Sequence, residues 1–336
     1  MTSGLRQTMT WMLLAAGAMG AWPAPGPAGS ADKPYFIGVN YGPFHQEGQS
    51  PQAAAELPPA QILRDLGIMH AAGFRHIRTF GLDNGLNRIA PLAQRHFPDL
   101  RLFLGVYECA QDHDDVRMPR STRAQLDEAL RLAHAHRNVA GIVVGNECLP
   151  GEPEACPRPV SVDQLIEDLT YVKRRLRSDR RPSVVVTTAM SMVAAAQNHA
   201  DQGRWVAPHV DVVMVNIHPF FAPAAIDEAV SANFHGSYRR LQQLYAHLGK
   251  PLVVGESGWP SAGPPNGTAL PGLENQRRFI QDLTRYAQTH AVSVFLFEMF
   301  DEPWKNEMGG VGPHWGLFDR QNCAKFPLPV WGRGQP

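Results

Sequence analysis

The sequence predicts an α/β chain folded as a (β/α)8 barrel in a single domain, and three observations carry that expectation. Eight short apolar, β-rich runs recur along the chain, each ended by turn residues. Amphipathic helical segments fall between them, the alternation that builds a parallel sheet inside a shell of helices. The first run is followed by no Gly-rich dinucleotide fingerprint, which favours the closed barrel over an open doubly wound sheet. With 336 residues, 44% of them hydrophobic, the chain is long enough to bury a core of that size.

The first half supplies FIGVNYG (36–42), HIRTFG (76–81), RLFLGVY (101–107) and AGIVVGNE (140–147). The second half repeats the pattern with SVVVTTA (183–189), DVVMVNIHPF (211–220), PLVVGESG (251–258) and SVFLFEMF (293–300). Between the third and fourth runs the spacing predicts a helix over 121–137, with Ser121 as cap and Leu126, Leu130 and Ala133 on one face. A second, over 161–178, repeats this grammar with Ser161 as cap and Leu165, Leu169, Val172 and Leu176 turned inward. Residues 33–336 therefore read as one domain. Residues 1–30 read as a signal peptide or N-terminal anchor: Arg6 precedes the apolar stretch WMLLAAGAMGAW (11–22), and a Pro/Ala/Gly segment follows. That stretch is short for a membrane span, and no later run is long enough for one, so the expectation is no stable membrane insertion after cleavage. The chain would then be secreted, periplasmic or cell-wall associated.

Charge and cysteine content exclude several classes. Lys plus Arg and Asp plus Glu are equal at 31 each, which argues against nucleic acid or an acidic polymer as partner and favours a neutral ligand. Four cysteines, Cys109, Cys148, Cys156 and Cys323, are too few for a disulfide framework, although Cys148 could pair with Cys156 or with Cys109. None is spaced as CxxC, and His134 and His136 lie on a predicted helix, so no metal is expected. DHDD (112–115) lacks the calcium-loop pattern and reads as a solvated turn. GESGW (255–259) approximates a nucleophile elbow, but Trp259 stands where the last glycine is required.

The chemistry gathers where the runs end, because in a (β/α)8 barrel those ends ring the functional face. Glu147 ends the fourth run and Glu256 lies at the end of the seventh. Two carboxylates from distant positions would then meet across one cleft, as a retaining glycosidase requires: one donates a proton to the leaving oxygen and the other attacks the sugar carbon.

The motifs GVNYGPF, IRTFG, VGNE, NIHPFF, VVGESGWPS, FEMFDEPWK and HWGLFD, in that order, resemble glycoside hydrolase family 17, the β-1,3-glucanase family of clan A. The resemblance covers nearly the whole mature chain. It implies that Glu147 is the general acid/base and Glu256 the nucleophile, with no cofactor. Asn146 is then suited to hold the sugar 2-hydroxyl. Tyr41 is expected to donate to Glu256 or to a sugar, and Glu302 and Lys305 match the family's acidic and basic pair near the eighth strand and are expected to bind substrate. Trp259 and Phe300 offer faces for pyranose rings, and His218 stands where plant relatives usually carry tyrosine. Glu108 and Glu298, also near strand ends, read as partners of Arg78 or of backbone donors.

The activity so implied is an endo-1,3-β-glucanase acting as a monomer on a β-1,3-glucan or oligosaccharide. A β-1,3-glucanosyltransferase shares the covalent intermediate and is the alternative. A non-catalytic carbohydrate-binding envelope protein is the third reading, disfavoured because both glutamates are present.

Overall fold

A computed structural model describes residues 35–53, 55–109, 122–152, 159–181, 183–197, 200–305 and 310–331. The expected signal segment, the Ser121 cap, DHDD and Cys156 lie outside the described residues. Eight parallel strands close into a barrel in sequence order: β1 Ile37–Asn40, β2 His76–Arg78, β3 Arg101–Val106, β4 Val139–Asn146, β5 Val185–Ser191, β6 Val213–Asn216, β7 Leu252–Ser257 and β8 Ser293–Leu296. Closure is made by β8 on β1, with Ile37, Gly38 and Val39 opposite Val294, Phe295 and Leu296. The strands are almost wholly buried on both faces, which is why they appear in the sequence as continuous apolar runs rather than alternating ones.

Helices α1 Pro59–Ala71, α2 Ile89–His96, α3 Thr122–Ala135 and α4 Val162–Ser178 follow the first four strands. After β5 come α5 Met192–Ala196 and α6 Ala200–Val206, after β6 the short α7 Ile226–Glu228 and then α8 His235–Tyr245, and after β7 the long α9 Leu273–His290. In α4 the Ser161 hydroxyl accepts from the Gln164 amide at 3.1 Å, satisfying one of the free N–H groups of the first turn. Leu165, Leu169, Val172 and Leu176 are buried as their spacing requires. The barrel lumen is filled by Phe103, Val143, Ala189, Met214, Val253 and Phe295, and a larger core lies between strands and helices.

The eighth run is longer than its strand. Beyond Leu296 the chain still donates to the ends of β7 and β1, Phe297 N to Ser257 O at 2.8 Å and Met299 N to Asn40 O at 2.9 Å. It also pairs with 315–318, Leu317 N donating to Glu298 O at 2.9 Å and Asp301 N to Phe318 O at 2.9 Å. Among the described residues no α-helix follows β8, only a short 3-10 turn at Gly312–His314, and the closing segment seats Trp331 against Phe74, its indole N–H on the Ala72 carbonyl at 2.7 Å. Cys109 is disulfide-bonded, whereas Cys148 is buried and free, so neither of the two pairings open to Cys148 forms. Among the described residues no helix is long and apolar enough to cross a membrane.

Candidate active site

The ends of β4 and β7 share a departure from regular pairing. The β4–β5 register shifts between Val143 and Asn146, and the β7–β8 register shifts between Val254 and Ser257. Such irregularities at a barrel rim re-aim the side chains that follow. At β4 the turn is tight: Gly145 has φ +74°, and Glu147 itself takes the left-handed conformation at φ +47°, its amide held by the Ala189 carbonyl at 2.8 Å. A side chain at Gly145 would strike the buried Cys148 sulfur. A non-glycine residue at positive φ is sustained only where its surroundings over-determine it, a condition common at functional sites.

Glu147 and Glu256 are both buried, and Asn216 at the end of β6 lies between them. Its Nδ2 donates to Glu147 Oε1 at 2.7 Å and approaches Glu256 Oε1 at 3.1 Å. Two carboxylate oxygens on one nitrogen are separated by less than ~6 Å, which matches the spacing for attack by one carboxylate and not the wider gap that admits a water between them.

Arg78, fully buried at the end of β2, braces the same assembly. Its Nη1 donates to the Gly255 carbonyl at 2.7 Å and to Glu256 Oε1 at 3.1 Å, and its Nη2 to Asn146 Oδ1 at 2.6 Å. His218 Nε2 stands 3.5 Å from the other oxygen, Glu256 Oε2. Burial by itself would raise the Glu256 pKa, but the His218 contact, the Arg78 charge and, further off, Lys305 more than reverse that and hold the carboxyl below its ordinary range.

Lys305 does not lie on the surface. Its ammonium sits between Glu298 Oε2 at 2.6 Å and Glu302 Oε2 at 2.7 Å, all three side chains buried. Burial pulls the lysine pKa down, yet the two carboxylates carry it above its ordinary value, so it stays charged. Glu302 also accepts from the Phe44 amide at 3.2 Å, which ties the segment after β8 to the loop after β1. Glu298 is thus a partner of Lys305 and not of Arg78. Glu108 is likewise not an Arg78 partner: it faces Asp168, and burial together with that second acid pushes its pKa up to about 9.

Three expected sugar contacts are corrected. Tyr41 points out of the barrel to α1, where its hydroxyl donates to Asp65 Oδ2 at 2.8 Å beside His45. Phe300 is fully buried, stacked on His45 with ring centres 4.4 Å apart. Trp259 is also fully buried against Phe220 and Phe279, its indole N–H on the Leu270 carbonyl at 2.9 Å. These rings fill the layer behind the strand ends, with no face left for a ligand. Gly258 has a separate reason: a Cβ there would lie 1.9 Å from the Phe297 carbonyl oxygen, so only glycine lets β7 and β8 meet at this level.

The structure adds Arg78 and Asn216 to the site, with Asn40, whose Nδ2 donates to the Gly255 carbonyl at 3.1 Å. Asn40 and Asn216 are polar residues ending otherwise apolar strands, the same signal that marks the two glutamates, and Arg78 ends the short strand His76–Arg78. Among the described residues no cluster of His, Cys, Asp or Glu is placed to hold a metal ion.

The model of the BtgE/BtgC glycoside hydrolase domain matches residues 38–316. The chain belongs to this family, within glycoside hydrolase family 17. Among curated family relatives, "Probable glucan endo-1,3-beta-glucosidase btgC" of Aspergillus fumigatus is 24% identical over 88% of this chain and 43% of its own length. "Probable family 17 glucosidase SCW10" of Saccharomyces cerevisiae is 26% identical over 83% of this chain and 64% of its own. The chain spans about half the length of the btgC relatives it matches. The barrel is shared with a laminaritriose complex of an active-site mutant of the Rhizomucor miehei beta-1,3-glucanosyltransferase, at TM-score 0.68 and 22% identity over 88% of this chain and 97% of that one. It is shared too with an endo-laminarinase from Formosa Hel1_33_131, at TM-score 0.71 and 18% identity over 85% and 83% of the two chains.

Proposed function

We propose that the chain is a retaining hydrolase of β-1,3-glucans, with Glu256 as nucleophile and Glu147 as general acid/base. The observation that carries this reading is the single Asn216 nitrogen in contact with both carboxylates, which fixes a separation suited to double displacement. The linkage rests on the names of the family relatives, glucan endo-1,3-beta-glucosidases among them.

In the first step Glu256 Oε2, the oxygen turned away from Arg78, attacks the anomeric carbon. The bond to the leaving glycosidic oxygen breaks, and Glu147 gives that oxygen its proton. In the second step Glu147, now ionised, takes a proton from water; the resulting hydroxide attacks the same carbon, and the Glu256 ester breaks. Asn146 commits its carbonyl oxygen to Arg78, so its Nδ2 is the atom that would hold the sugar 2-hydroxyl. His218 orients the attacking oxygen. Lys305, Glu298 and Glu302 act through the field they impose on Glu256 and through the loop they fasten, not as sugar ligands. Residues 1–30 would direct export, and the working form is a monomer.

Glucan transfer is the second reading, favoured by the barrel shared with the Rhizomucor glucanosyltransferase along nearly its full length. It differs only in that a sugar hydroxyl replaces water in the second step. Incubation with reduced laminari-oligosaccharides, followed by mass, separates the two: only shorter products mean hydrolysis, and products longer than the starting chain mean transfer. In either case Glu256→Ala should cut sugar release by at least about a thousandfold while glucan binding persists. Unchanged release from a clean preparation would sink the assignment.

A further inference from the structure

Outside the barrel mouth, one surface feature is built like a ligand site and is unused by the chemistry above. Between the first turn of α4 and α6 lies a groove of about 500 Å³, floored by Val162, Ile166, Trp205 and Pro208. Trp205 is 58% exposed, the most open indole or phenyl ring among the described residues, and it forms part of the groove's wall. Its volume falls in the range of small-ligand pockets, and an apolar floor with a few polar groups is the usual composition of such sites.

The rim decides the class of occupant. Asp163 and Arg204 contribute one charge of each sign, and Arg204 is already paired with Asp201 at 3.3 Å. Ser161 and His209 complete the polar lining, and because the Asp163 and Arg204 charges cancel, the groove offers no bulk electrostatic attraction for a polyanion such as nucleic acid or an acidic peptide. It suits a neutral ligand with an apolar face and hydroxyls around its edge, and a pyranose ring is such a body: its C–H face lies on the indole and its hydroxyls meet the rim.

The groove's wall is also tied to the loop that carries Glu147. Gln202, on the same short helix as Trp205, donates to the Pro150 carbonyl at 3.2 Å, and Pro150 belongs to the loop that begins at Glu147. Glu152 fastens that loop further, accepting from Leu149 N at 2.8 Å and from Ser191 N at 2.6 Å. The wall that carries Trp205 and the loop that carries Glu147 are therefore one braced unit.

We propose that this groove is a second carbohydrate site, which holds a distant segment of the same β-glucan chain that is cut at the barrel mouth. The proposal rests on the glucan-cleaving reading for the identity of its ligand. Its role would be to retain polymer at the enzyme surface, raising the local concentration of cleavable bonds without entering the reaction.

The test uses the full chain in the Glu256→Ala background, so that polymer stays intact, and titrates it with laminarin. Adding Trp205→Ala should weaken laminarin binding about tenfold, the size expected on truncating an aromatic anchor, and Trp205→Phe should restore most of it. In the active chain, Trp205→Ala should raise KM for laminarin much more than KM for laminaritriose. Equal laminarin affinity with and without the indole would overturn the proposal. So would self-association of the parent chain in sedimentation that Trp205→Ala abolishes, since the groove would then be an interface between copies. A failure of the cleavage reading shows separately, as no sugar release by the unmutated chain on any laminari-oligosaccharide.

Discussion

Arg78 is the residue on which the two carboxylate-bearing strands depend. Its guanidinium lies in direct contact with Glu256, so Arg78→Met should raise the Glu256 pKa and lower kcat/KM by on the order of a hundredfold. The sign follows from the depressed carboxyl: the nucleophile works ionised, so activity is lost as pH falls through its pKa, and anything that raises that pKa moves the acidic limb of the kcat/KM profile to higher pH. His218→Ala should move the limb the same way, because the His218 contact also lowers the Glu256 pKa. A limb unmoved in both variants would mean that Glu256 is not the group whose ionisation it reports. At this scale the sequence reveals position but not direction. Asn40 and Tyr41 are adjacent, yet Asn40 turns into the barrel mouth and Tyr41 outward to Asp65. The glutamates were legible because a charge ending a buried strand has few places to go; an aromatic at the same level has a choice between cleft and core, and Trp259 and Phe300 took the core.

The elements were legible where one physical requirement shaped them. Strands buried on both faces left apolar runs, and α4 left a capping serine and a one-sided stripe. The segment after β8 was not legible, because its apolar residues continue past the strand and pair with 315–318 as well as with the ends of β7 and β1. What holds that segment is the buried Glu298, Lys305 and Glu302 triad together with the Phe44 amide. Lys305→Met would leave two carboxyls buried around an apolar chain, and removing one partner of a buried ionic network costs about 3–5 kcal/mol. The expected result in denaturant is a midpoint lowered accordingly with the slope unchanged. Because Lys305 also lowers the Glu256 pKa, the folded variant should show an acidic limb displaced upward. A variant of parental stability would show that the triad is a by-product of the turn and not what fastens it.

At the scale of the whole molecule, one closed sheet gathers side chains from β1, β2, β4, β6 and β7 at a single mouth, and it does so by burying several acids that the mouth does not use. Glu108 is the clearest, held neutral against Asp168 with its pKa near 9. Between about pH 6.5 and 8.5 that acid keeps its proton in the folded chain and loses it in the unfolded one, so the folded state binds more protons and stability must fall as pH rises. Glu298, whose carboxyl burial also pushes well above its ordinary range, acts with the same sign. His76, pushed down to about 4, affects stability chiefly below pH ~6.5 and opposes the fall only at the acidic edge of the window, where the unfolded chain is still partly protonated. Glu152, raised to about 6, is ionised in both states above that value. The burial-raised Cys148 thiol contributes only once the unfolded thiol ionises, near pH ~8.5. Glu108 alone should therefore lower the unfolding free energy by up to about 1.4 kcal/mol per pH unit across the window. Glu108→Gln keeps the shape of the neutral acid without the proton, so it should be more stable than the parent at pH 8 and lose stability less steeply from 6.5 to 8.5. Parallel profiles for the two proteins would mean that Glu108 ionises freely in the folded barrel, and that the space between β3, α4 and the Glu147 loop is open to water.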